Sequence, residues 1–227
     1  MAGRGLRVWS SLGGLVFVVL AVFGAMLIFD GPSDSSPAKM AAYYGKASNR
    51  THIHFGWILT GLALFSLIWF VAAVRERIRE IELGESEQGT FLSTIVLVGG
   101  TAYIAVAMAG IAITDGIKTM SDDTYQHQVY SGVIHAAGDA AYLLVVTGGA
   151  AMAALIFAVA IAIRRYAILP RWVSWFGFVA GVAAIFSVIF FTMLVWMLWI
   201  AVASVALFLR SRSAAAPAPT AAPVPTS

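Results

Sequence analysis

The chain contains no cysteine, and that absence removes disulfides, thiolate metal ligands, iron–sulfur clusters and palmitoylation in one step. Charge is nearly as scarce: charged residues make up 11% of the 227 positions against 60% apolar, and the mean hydropathy is +0.88. So small a polar set cannot form the outer shell of a water-soluble domain, which makes lipid the solvent for most of the chain. Also missing are a phosphate-binding loop, a Ser/His/Asp spacing and a carboxylate pair inside any apolar stretch, which argues against an enzyme. The formal charge of +3 comes from arginines that flank apolar runs, so it implies no nucleic-acid partner.

What the chain does have is long apolar runs. A helix needs about 20 apolar residues to cross roughly 30 Å of hydrocarbon. Four runs meet that length without ambiguity, giving spans at approximately 9–29, 53–74, 91–114 and 138–163. The last apolar stretch, Trp172 to Leu209, contains no proline and would reach about 60 Å as a single helix, twice the hydrocarbon thickness. Two spans, 172–190 and 193–210, with a tight turn at Phe190 to Thr192, fit better.

Orientation leads to the same number. Arg4 and Arg7 precede the first run, Arg75, Arg77 and Arg79 follow the second, Arg164, Arg165 and Arg171 separate the fourth from the fifth, and Arg210 and Arg212 close the last. Those ten of the fourteen basic residues share one side only if the final stretch crosses twice. The expected fold is therefore an all-α polytopic membrane helix bundle with six transmembrane helices and both termini cytoplasmic. It occupies residues 1–212, followed by a disordered Ala/Pro-rich tail at 213–227. No small-x-small cleavage pattern follows Phe29, so the first run reads as a span rather than a signal peptide. Trp9, Trp172 and Trp175 fall near inner ends and Trp57, Trp196 and Trp199 toward outer ends, as interfacial anchors would.

The connections carry their own signals. Ser36 and Pro37 read as an N-cap and first helical residue, predicting a short outer helix over Ala38 to Ala47. Ser121 with Asp122 and Asp123 predicts a second helix start that runs into span four, with Gly132 as a bend. On the inner side, RERIREIELGESE extends span two to Gly84 as a solvated helix end in which Glu76 and Arg79 form an attractive i,i+3 pair. Gly177 and Gly181 form a GxxxG that suits close helix packing.

Several of these pieces line up with a known pattern. AAYYGKASNR after Ser36-Pro37, WFVAAVRERIRE, LVGG, ILPRWVSWFGFVAG and MLWIAVASVALFLRSR together resemble a family of small bacterial six-helix membrane proteins of unknown function. The resemblance covers most of the chain and its motifs are topogenic. It implies a six-span architecture in the bacterial cytoplasmic membrane and carries over no active site.

Ionisable residues at the edge of hydrocarbon are the remaining lead. Counting outward from the inner arginines puts His54, Asp115, His135 and Asp139 near one level, at the outer mouth of spans two, three and four. His135 and Asp139 are i,i+4 and share a helix face. Three functional readings follow. The first is a non-catalytic accessory or scaffold protein, partnered by another membrane protein or a second copy of itself. The second is a divalent metal or haem b site drawing on His54, His127, His135 and Asp139. The third is a proton-coupled small-solute transporter using Asp139.

Overall fold

Backbone amides in hydrocarbon have no water to bond, so an apolar run must satisfy them within itself, and helix is the form that does so. The computed structural model describes residues 8–28, 37–85, 89–120 and 131–215. Among these residues the secondary structure is helical, without strands: α1 Gly13–Ile28, α2 Pro37–Tyr44, α3 Ala47–Glu85, α4 Phe91–Met120, α5 Ser131–Tyr166, α6 Arg171–Ile185 and α7 Phe190–Ala215. Five stretches are long and apolar enough to cross a membrane, namely Val8–Ile28, Ala47–Gly84, Phe91–Gly116, His135–Tyr166 and Phe191–Ser213. The sixth apolar helix, α6, has 15 residues and rises about 22 Å.

Five of these helices and the shorter α6 pack in a closed ring. Going round it, α1 meets α3, then α4, α5, α6 and α7 follow, and α7 returns to α1. Side chains fill the middle: Trp196 of α7 is 1% exposed, stacks on Phe17 of α1 at 6.3 Å and takes the edge of Tyr103 of α4 at 5.6 Å. The outward faces carry apolar side chains such as Phe23, Phe65 and Val179, all more than half exposed. That inversion of the soluble pattern suits a bundle whose surroundings are acyl chains.

Close approach of the helices depends on small residues. A β-carbon on Gly24 would lie 2.8 Å from the Gly56 carbonyl, so α1 and α3 touch backbone to backbone there. The Gly177 and Gly181 pair is used within the chain. A β-carbon at Gly177 would meet Ala160 at 2.9 Å, and one at Gly181 would enter the Phe157 ring.

Several expectations change. The turn in the final stretch spans Phe186 to Ile189, ahead of the expected Phe190 to Thr192, and α7 has already begun at Phe190. Hydroxyls set its place: Ser187 Oγ donates to the Ala184 carbonyl at 2.7 Å and Thr192 Oγ1 to Phe186 and Ile189, each at 2.6 Å. Consequently the fifth apolar helix is shorter than the 172–190 expected. Trp196 and Trp199 are buried inside the bundle and are not interfacial anchors. Their ring nitrogens donate to Ser187 Oγ at 3.2 Å and the Val173 carbonyl at 2.9 Å, which lets two indoles sit in a core. Trp9, Trp172 and Trp175 are exposed near arginines, as anchors would be.

The short outer helix begins at Pro37 and ends at Tyr44, and the spans run longer than their apolar cores at 53–74, 91–114 and 138–163. Gly132 lies inside the first turn of the unbroken α5. α7 continues through Ala215, three residues into the tail expected at 213–227, while the segment around Ser121 and residues 216–227 lie outside the described residues.

At the inner end, Glu76 and Arg79 pair at 3.8 Å as expected. Glu82, assigned above to a solvated helix end, is instead 5% exposed. Its two oxygens accept from the backbone nitrogens of Leu92 at 2.8 Å and Ser93 at 3.2 Å. The carboxylate caps α4 from a neighbouring helix, which fixes how α3 and α4 meet.

Candidate functional site

The outer ends of α3, α4 and α5 bring the candidate residues into one region, and helix rise fixes its depth. His54 lies 21 residues before Arg75 and Tyr142 lies 22 before Arg164, so both sit about 32 Å from the arginine level. Tyr142 donates its hydroxyl to the Val188 carbonyl at 2.8 Å, which ties α5 to the α6–α7 turn at that depth. Beyond it, α5 continues for eleven residues to Ser131, roughly 16 Å further out.

His54 of α3 and Asp115 of α4 meet across the helix pair, Nδ1 to Oδ1 at 3.3 Å. Their side chains are 57% and 35% exposed, so water screens the pair and its worth is at most about 1 kcal/mol. With Nδ1 protonated, His54 donates to Asp115 Oδ1 and its Nε2 keeps a lone pair.

α2 is fastened beside this pair by two residues that the sequence reading passed over. Arg50 Nη1 donates to the carbonyls of Tyr44 at 2.8 Å and Gly45 at 3.0 Å, and Asn49 Nδ2 donates to Tyr43 at 3.0 Å. A guanidinium on the last carbonyls of a helix satisfies orphan acceptors and complements the negative end of its dipole. The signal available was a basic residue at the end of the apolar run opposite Arg75, Arg77 and Arg79. Burial, and then the adjacent Tyr43, push the Tyr44 hydroxyl above its usual pKa, so it stays neutral in this cluster.

His135 and Asp139 are both exposed on α5, and no hydrogen bond joins them. α4 packs against both α3 and α5, which scarcely touch one another. His127 lies outside the described residues. Among the described residues, no three His, Asp or Glu side chains gather as a metal site would need. The His54–Asp115 pair is the part of the expected constellation that the structure brings into contact.

The opposite end of the bundle holds a small apolar cleft lined by Val74, Ile78, Val159, Ile163 and Leu207 with Arg77 at its edge. Arg210 closes the neighbouring α5–α6 corner by donating to the carbonyls of Ala167 and Ile168. No family model matches the chain, and no curated protein or solved structure matches it either.

Proposed function

We propose that this protein is a non-catalytic accessory or scaffold protein of a cytoplasmic membrane, crossing it six times with both termini on the arginine side. The sixth crossing is the short α6. It starts at Arg171, and the Tyr142 bond to Val188 supports a turn at the level where α5 leaves the hydrocarbon.

The observation that carries the functional reading is the contrast between middle and outer end. Mid-depth is filled by Trp196 with the rings of Phe17 and Tyr103 against it, where a solute path would need room. Outside, α3, α4 and α5 stand beyond the bilayer with α2 fastened against α3, giving a partner a formed surface to hold. Native purification in mild detergent followed by cross-linking mass spectrometry tests this. The expected result is a second membrane subunit, or a second copy of the chain, cross-linked to the outer ends of α3 and α5. An isolated monomer that cross-links to nothing overturns it.

A second reading has one observation in its favour. A carboxylate on Nδ1 of an exposed imidazole is the arrangement that orients histidine for a metal on Nε2, and His54 with Asp115 has it. Elemental analysis of the purified protein with His54→Ala as control decides it. Stoichiometric zinc, copper or nickel lost in the variant supports the reading, and no bound metal eliminates it.

A further inference from the structure

No carboxylate side chain follows Asp139 in the sequence, yet five arginines do. Arg210 is engaged by backbone carbonyls, and Arg212 lies over the Phe208 ring at 5.6 Å. Arg164 and Arg171 stand together at the α5–α6 corner. Both are exposed, and neither has a carboxylate within ion-pair distance among the described residues. The Arg164 guanidinium lies over the Trp175 ring at 4.8 Å. Stacking of that kind holds the guanidinium plane while leaving its edge N–H groups directed outward.

Below the arginines an aromatic track descends toward the hydrocarbon. Trp175 meets Phe178 at 6.0 Å, Phe178 meets Phe157 of α5 at 6.2 Å, and the Phe157 ring fills the notch at Gly181. Arg171 and Trp175 are four apart on α6 and so share its face. From Arg171 to Gly181 the helix descends about 15 Å, comparable to half the hydrocarbon thickness. A cationic head above an apolar track has the polarity of an amphiphile site. A water-soluble acidic partner would match only its upper part.

We propose that the face shared by α5 and α6 binds an anionic phospholipid, with the phosphate on Arg164 and Arg171 and one acyl chain along Trp175, Phe178 and Phe157. A planar guanidinium gives a phosphate two parallel hydrogen bonds. An anionic headgroup leaves that charge uncompensated, whereas a zwitterionic one brings its own ammonium next to the arginines. Selection between the two lipids is therefore electrostatic, and the aromatic track sets where the chain lies.

The test uses the full chain in nanodiscs of phosphatidylcholine containing a minor fraction of phosphatidylglycerol, with retained lipid read by native mass spectrometry. An arginine at an anionic surface is worth about fivefold in affinity. Wild type is expected to retain phosphatidylglycerol over phosphatidylcholine by at least that factor. Arg164→Gln with Arg171→Gln removes the preference, and Arg164→Lys, which keeps charge but loses the stacked fork, weakens it. Arg79→Gln, at the far corner beside Glu76, leaves it intact. Both arginines are exposed, so the variants keep their fold, which an unchanged fluorescence melting curve verifies. Wild type with no preference, a double glutamine variant that retains it, or equal loss from Arg79→Gln overturns the proposal.

Discussion

Replacing Glu82 tests whether a carboxylate on one helix holds the start of the next. Both of its oxygens are in use, at 2.8 Å to Leu92 and 3.2 Å to Ser93, and the side chain is 5% exposed. A hydrogen bond to a charged group contributes about 1.5 to 3 kcal/mol, and a carboxylate at a helix start adds about 0.3 to 1 kcal/mol. Water at the headgroup level can reach the freed amides in part. Glu82→Ala is therefore expected to destabilise by about 2 to 4 kcal/mol, less than the sum of both bonds. Glu82→Gln keeps one acceptor and loses the charge, for about half that cost. The assay is equilibrium unfolding in mixed micelles by dodecyl sulfate titration, followed by tryptophan fluorescence. Amide exchange at Leu92 and Ser93 is read alongside, because it isolates the cap from general destabilisation. Glu82→Ala within about 0.5 kcal/mol of wild type, with unchanged exchange at both amides, would refute the reasoning.

Three further outcomes are expected. Gly181→Val puts a branched side chain into the Phe157 ring and should cost about 1 to 3 kcal/mol in the same titration, whereas Gly84→Ala, whose β-carbon would meet open space, should not destabilise. A double-mutant cycle with His54→Ala and Asp115→Asn should give a coupling below about 1 kcal/mol that fades with added salt, since both side chains reach water. Because its folded pKa is raised, the stability associated with a neutral Tyr44 is complete below the unfolded value of 10.0 and is lost as pH rises through the folded one. Comparing unfolding midpoints at about pH 9 and about pH 11 should show a decline that Tyr44→Phe reduces.

The apolar cores of α1, α3 and α5 could be read in the sequence because an apolar run and its flanking arginines obey the thickness of the bilayer, an external length, whereas α3 and α5 themselves run several residues past those cores. The same ruler put His54, Asp115, His135 and Asp139 at one end of the bundle, although the rise of α5 carries His135 about 10 Å past the level of Tyr142 and His54. Depth is one coordinate, however, and the ring order of helices supplies the other two. Only that order brings His54 to Asp115 and leaves His135 and Asp139 exposed beyond α4. Arg50 escaped notice because its role depends on where α2 folds back, which no span count reveals.

The sequence by itself determined a chain of long apolar helices compatible with a membrane and the presence of a turn within the final 38-residue apolar stretch. Those follow from composition and period, which act along one helix at a time. Tertiary structure decided what depends on a neighbour: Ser187 and Thr192 placing the turn, Trp196 and Trp199 facing the core, Glu82 leaving solvent to cap α4. Hydroxyl, indole and carboxylate groups each have partners available in water. The hydroxyls find theirs within the turn itself, whereas only the packing of α3 against α4 and of α6 against α7 brings Glu82, Trp196 and Trp199 within bonding distance of protein partners.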